Sequence, residues 1–182
     1  MKSSRPRALP GVVLVVGVGA LVALASQFGA TSPYFEQPSS AGISGTGQPG
    51  ERFYAGLVQV EVKAGDSIEF LAVDGLPTGS TTFVVRLRET DAALGVAPES
   101  LISEKGIYRP LAGSTFTAND GPLQVLALIT AEDSDVLVSG PILRFSVNGG
   151  PARSERLLIS VLICASGAHP EGPCGPPEPP HG

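Results

Sequence analysis

A chain of 182 residues with 42% hydrophobic side chains can close one core, and its Gly (23) and Pro (17) content, against only 16% charged residues, argues against long helices. Lys2, Arg5 and Arg7 put three of the 12 Lys/Arg into the first 25 residues, which hold no acid; the other nine face 17 Asp/Glu, a balance of −8. A surface of that sign repels phosphate backbones and argues against a nucleic-acid partner.

Behind the basic head runs an uncharged apolar stretch, Gly11 to Ala25, expected as one apolar helix. Ala23-Leu24-Ala25 offers the small-x-small site of a signal peptidase, so residues 1–25 read as a signal peptide with Ser26 first in the mature chain. The competing expectation is a membrane anchor over residues 11–28, near the lower end of the roughly 17–25 residues that span a bilayer. The positive flank stays inside in both cases, so the rest of the chain is expected outside the cytoplasm. Residues 26–52 are expected to be a linker. Between Gln37 and Gly50, nine of fourteen residues are Gly, Ser or Pro. Such a segment buries too little apolar surface to offset its ordering entropy, and it reads as a flexible spacer.

Residues 53–164 carry recurrent strand signals. Val58, Val60 and Val62 alternate with Gln59, Glu61 and Lys63, and Ala64-Gly65-Asp66 turns the chain. Ile68, Phe70 and Ala72 alternate with Ser67 and Glu69 before a break at Gly75-Leu76-Pro77-Thr78-Gly79. Phe83, Val85 and Leu87 alternate with Val84, Arg86 and Arg88, and a short helical turn is expected near Asp91 to Leu94. Leu123 to Thr130 is more continuously apolar than the other segments, as expected of a central strand. Leu143, Phe145 and Val147 alternate with Arg144, Ser146 and Asn148, and Gly149-Gly150-Pro151 leads to a last apolar strand, Leu157 to Ile163. Period-two alternation sends one set of side chains to a core and the other to water. Short strands without a βαβ rhythm predict an all-β fold, a two-sheet antiparallel β-sandwich of jelly-roll or Ig-like type. The tail, residues 165–182, holds six Pro and four Gly among eighteen and is expected to be irregular.

The order of these segments resembles that of cohesin domains. Val60-Glu61-Val62-Lys63-Ala64-Gly65-Asp66-Ser67-Ile68 resembles the family's opening strand, Gly-Asp turn and second strand. Gly75-Leu76-Pro77 resembles the loop before its third strand. Phe83-Val84-Val85-Arg86-Leu87, followed by Glu89, Asp91 and Leu94, resembles the third strand running into a "Tyr-Asp-Pro…Leu" segment. Val136-Leu137-Val138-Ser139-Gly140-Pro141-Ile142-Leu143-Arg144-Phe145-Ser146-Val147 resembles the late "Gly-x-Leu-x-x-Ile-x-Phe-x-Val" run. The resemblance implies a jelly-roll sandwich and a dockerin-bearing protein partner, in a polysaccharide-related or cell-surface assembly. The polar positions that open the third strand and help grip dockerin fall on Ser80 and Thr82.

Catalysis finds little support. His169 and His181 lie in the Pro/Gly tail, where no rigid frame holds a general base, and there is no Gly-x-Ser-x-Gly elbow, Walker loop or His-Glu-x-x-His. A non-catalytic module with no cofactor is expected. Cys164 and Cys174 read as a disulfide pinning the tail to the last strand, as suits an exported chain. The sharper alternative adds His169 and His181 as zinc ligands; a copper site lacks any upstream histidine and a methionine other than Met1. Asp133 and Asp135, in Glu132-Asp133-Ser134-Asp135, read as a solvated turn, with calcium as the alternative. Arg86 and Arg88 share one face of their strand, either as part of a binding face with Ser80 and Thr82 or as charges that deter edge pairing. Direct glycan binding is the alternative function. The chain has no Trp, and with Phe70, Phe83 and Phe145 expected in the core, only Tyr54, Tyr108 and Phe116 remain as ring platforms. A structural or adhesive surface domain is the remaining reading.

Overall fold

The computed structural model describes residues 34–36, 41–87, 94–102, 108–167 and 174–175. Residues 1–33, with the apolar N-terminal segment, lie outside that set, as do Arg88, Asp91, His169 and His181. Thirteen strands are described: β1 (Phe35–Glu36), β2 (Ala41–Gly47), β3 (Arg52–Val60), β4 (Ser67–Asp74), β5 (Thr81–Arg86), β6 (Val96–Pro98), β7 (Tyr108–Pro110), β8 (Thr115–Thr117), β9 (Leu123–Thr130), β10 (Val136–Ser139), β11 (Ile142–Val147), β12 (Arg153–Arg156) and β13 (Ile159–Ala165). The helical elements are one turn, α1 (Glu99–Ile102), and a 3₁₀ turn at Ala118–Asp120.

A six-stranded sheet runs β1-β3-β9-β5-β7, with β6 on β3; a three-stranded sheet runs β10-β13-β2; a four-stranded sheet runs β12-β11-β4-β8. The all-β expectation holds, and every pairing is antiparallel except one: β2 runs parallel to β13, Ala41 beside Ile159 and Gly47 beside Ala165. The inner faces of all three sheets close on one core. Val58, Val60 and Val125 come from the first sheet, Val138, Val161 and Ile163 from the second, and Phe70, Phe116, Leu143 and Phe145 from the third.

Alternation places most of these residues as expected. Leu143, Phe145 and Val147 point inward and Arg144 outward. Two assignments change. In β4 the register slips at a bulge opposite Arg144/Phe145, so Val73 pairs with inward Leu143 while Ala72 pairs with outward Arg144. Ala72 therefore leaves the core. In β5 both faces are apolar. Val84 joins the main core, whereas Val85 and Leu87 join Tyr54, Leu126 and Leu128 in a second cluster on the outer face of the sheet, with Phe83 packed against it. Phe83 is thus not a residue of the main core.

The segment expected to be a flexible linker carries strands β1 and β2. Two of its glycines, Gly45 and Gly47, stand where the chain packs closely. A Cβ on Gly45 would stand 2.6 Å from Cγ1 of Val96, and one on Gly47 would run into the Phe53 ring. The helical turn stands at Glu99–Ile102, where Arg52 pairs with Glu99 at 3.4 Å; the expected site near Asp91 lies outside the described residues except for Leu94.

Leu94 and Gly95 form a strap over the outer face of the six-stranded sheet. Gln124, 3% exposed, holds both polar groups of Leu94: its Oε1 accepts the Leu94 N–H at 2.9 Å and its Nε2 donates to the Leu94 carbonyl at 2.9 Å. The Gly56 N–H donates to the Gly95 carbonyl at 2.8 Å. A buried amide in an apolar sheet is tolerated because its donor and acceptor are both satisfied.

Candidate functional site

The outer face of the six-stranded sheet lies under the strap, and that of the three-stranded sheet carries Cys174. The outer face of the four-stranded sheet has neither cover among the described residues. Its strands set side chains in cross-strand rows. Arg156, Ile142 and Asp74 form one row; Ser154, Arg144 and Ala72 the next; then, past the bulge, Ser146, Glu69 and Thr115; then Ser67 and Thr117. Ile142 is 40% exposed, an apolar side chain flanked by Arg156 and Asp74. Nη1 of Arg144 lies 3.9 Å from Oδ2 of Asp74 with both side chains about half exposed, a pair that contributes little to stability. The Ser146 hydroxyl donates to Oε2 of Glu69 at 3.3 Å.

At one end of this face three chain segments meet on Asp66. The Tyr34 hydroxyl donates to Oδ2 at 2.7 Å and Nδ2 of Asn148 donates to Oδ1 at 2.7 Å. Oδ1 of Asn148 accepts the Ser67 N–H at 2.8 Å, and the Asn148 N–H donates to the Ser67 carbonyl at 2.9 Å. Lys63 stands 5.6 Å over the Tyr34 ring. An open groove of about 360 Å³ adjoins, lined by residues 64–67 and 117–119.

Hydrogen bonds from Asn148 and then Tyr34, helped by the Lys63 charge, hold the Asp66 carboxyl below its ordinary value of 3.8. The same bond to Asp66, then burial, then the Asp66 charge, raise Tyr34 above 10.0 against the opposing charge of Arg153. A depressed carboxyl stabilises the fold above its unfolded value, and that contribution is lost as pH falls through the folded value. A raised phenol stabilises below its unfolded value and loses that contribution as pH rises through the folded one. The difference in thermal midpoint between wild type and Tyr34→Phe is therefore expected to be constant at neutral pH, and to shrink both below the carboxylate range and above the phenol range. A pH-independent difference would show that the tie is not formed.

The residues expected to form a binding face on β5 do not share an open surface. Thr82 and Arg86 lie on the same side as Val84, which is in the main core, so that side faces inward. Ser80 is half-buried, its Oγ buried without a hydrogen-bond partner and its N–H donating to the Pro77 carbonyl at 3.1 Å. Thr82 is half-buried and its carbonyl takes the Leu111 N–H at 3.0 Å. Arg86 is exposed at the strand end beside Gly121. The pattern misleads here because both faces of β5 are covered, so polar and apolar alternation no longer separates water from core.

Cys164 and Cys174 form a disulfide with Cα atoms 6.0 Å apart. It consumes both thiolates, which removes the cysteine-ligated zinc and copper readings, and it fits an oxidising compartment. In the chain-entropy model so short a loop contributes on the order of 2–3 kcal/mol. The Cys174 carbonyl also accepts the Ser44 hydroxyl at 3.3 Å, which ties the tail to β2. Asp133 is exposed, and Oδ1 of Asp135 accepts the Ala165 N–H at 3.0 Å, fastening the acidic turn to β13. Among the described residues no three His, Cys, Asp or Glu gather as a metal site. Tyr54 and Phe116 are buried, 7% and 4% exposed, and present no ring to a sugar; the Tyr108 side chain lies outside the described set.

Sequence reasoning missed the strap and the tie on Asp66. Asn148-Gly149 was a legible turn signal, but nothing in the chain order points Asn148 at Asp66. Comparison of the chain with protein-family models, with curated proteins and with solved structures finds no match.

Proposed function

We propose that this chain is an extracytoplasmic, non-catalytic interaction module: a jelly-roll β-sandwich of cohesin type that docks a dockerin-bearing protein on the outer face of its four-stranded sheet. The observation that carries this reading is the open face itself. Its backbone is locked in a ladder, so little conformational entropy is lost on docking. Ile142 supplies an apolar anchor, and Arg156, Asp74 and Arg144 border it with charge of both signs, the makeup of a protein-binding patch rather than of a catalytic pocket. The disulfide, together with the basic and apolar N-terminal sequence, supports export.

The test is retention of calcium-loaded dockerin proteins from the same organism on the immobilised chain, with and without chelator. Calcium-dependent retention is expected, weakened about tenfold or more by Ile142→Asp and Arg144→Glu, as truncation of an interface anchor weakens binding. Arg86→Glu, on the inward-facing side of β5, is expected to leave retention unchanged. Retention indifferent to Ile142 and Arg144 places the docking face elsewhere, and failure to retain any dockerin removes the cohesin reading.

A further inference from the structure

We propose that Asn148 is a deamidation site whose reactivity is held in check by Asp66 and Ser67. Asn148-Gly149 joins an asparagine amide to a residue with no side chain to obstruct attack by its own backbone nitrogen. In that reaction the Gly149 nitrogen bonds to Cγ of Asn148, the Cγ–Nδ2 bond breaks, and Nδ2 leaves as ammonia with the Gly149 amide proton. Water then opens the cyclic imide at either carbonyl, giving aspartate or isoaspartate. Nothing is oxidised or reduced, and water is the only co-reactant. Asn148 and Gly149 are exposed, so water has access.

The fold opposes the first step. Asn148 has φ 54° and Gly149 φ 66°, and the Gly150 N–H closes the turn on the Val147 carbonyl at 2.9 Å. Both ends of the amide are occupied: Nδ2 donates to Asp66 at 2.7 Å, and Oδ1 accepts from the Ser67 N–H at 2.8 Å and the Ser67 hydroxyl at 3.3 Å. Cγ reaches the Gly149 nitrogen only after the side chain lets go of the β3–β4 turn. Reactivity is therefore coupled to a local opening.

The product cannot restore the contact. Aspartate at 148 sets an acceptor and a negative charge where Nδ2 met the Asp66 carboxylate, and like charges at that range repel. Isoaspartate also adds a carbon to the main chain of the turn between β11 and β12. Either product leaves the Asp66 carboxylate held by Tyr34 alone, a one-way loosening where the residue before β1, the β3–β4 turn and the end of β11 meet.

The experiment is incubation of the intact chain at mildly alkaline pH, with peptide mapping of the Asn148-Gly149 segment over time. Four samples are compared: the native chain, the native chain in denaturant, Asp66→Ala and Tyr34→Phe. Conversion is expected fastest in denaturant and slowest in the native chain. Asp66→Ala is expected to accelerate it about tenfold, the scale on which loss of one hydrogen bond to a charged group shifts an opening equilibrium. Tyr34→Phe, which removes the other hydrogen bond that holds the Asp66 carboxylate but leaves the Asn148 bonds in place, is expected to fall between the native and Asp66→Ala rates. Equal rates in native and denatured chains, or an Asp66→Ala rate equal to the native one, overturn the proposal. Should Asp66→Ala fail to fold, Asp66→Asn is read in its place, with acceleration expected and an unchanged rate again overturning it.

Discussion

Gly56→Ala is expected to be among the most damaging single changes in this chain, lowering stability by roughly 3 kcal/mol or more. The reason is local and steric. A Cβ at position 56 would collide with the Leu94 carbonyl oxygen and with the Gln124 amide. Neither can step aside cheaply, because each holds the other and the Gly56 N–H holds Gly95. Relieving the clash means lifting the strap, which unpairs the buried Gln124 amide and uncovers Leu126, 0% exposed, with its neighbours Tyr54 and Leu128. Buried polar groups left without partners then add their own desolvation penalty. The control is Gly95→Ala, one residue along the same strap, where a Cβ meets nothing within 4 Å. Chemical denaturation of both variants makes the comparison. Similar midpoints for the two would mean that the strap is not seated on Gly56.

Phe145→Ala comes second, with an expected loss of about 3–5 kcal/mol. Phe145 is 2% exposed on β11, its ring meeting that of Phe35 edge-on at 4.8 Å and 89°, and it pairs across the ladder with Phe70. Phe70 in turn packs on Phe116, with ring centroids 5.8 Å apart. These rings belong to one buried cluster shared by the four-stranded and six-stranded sheets. Leu137→Ala is the matching control. At 59% exposure on β10 it is expected to shift stability by no more than about 0.5 kcal/mol. A small effect at Phe145 would argue that the core is loosely packed there.

Much of this fold is legible in the sequence because strand alternation and the turn glycines are local signals. Leu143-Arg144-Phe145 states its own inward and outward sides, although Ser146, read as outward, is 5% exposed, and the buried run of residues 123–129 sits at the centre of its sheet. The signal fails where covering is not local. Phe83 and Val85 look like residues of the main core, yet they face the second cluster, because a segment separated from them in sequence crosses that side of the sheet. Gly45 and Gly47 look like parts of a spacer, yet they stand in β2 where Val96 and Phe53 press against it. The site follows the same rule. Cys164 and Cys174 are legible as a pair, since few cysteines leave few choices. On β5 the polar residues Ser80, Thr82 and Arg86 suggest an open face, yet Ser80 and Thr82 are half-buried on the side of Val84 and Arg86 alone, at the strand end, is exposed. Only the strand order, which no single segment encodes, shows that β4 and β11 present the free side.

The parallel pairing of β2 with β13 has a mechanical consequence. The chain enters β2 at Ala41, beside Ile159, and leaves β13 at Ala165, beside Gly47. Tension applied between the segment before Ala41 and the segment after Ala165 therefore slides the two strands along each other. All seven paired positions, from Ala41 with Ile159 to Gly47 with Ala165, bear the load together and do not peel apart one at a time. For a module tethered at one end and pulled at the other, that geometry resists rupture better than an antiparallel pair opened from one end.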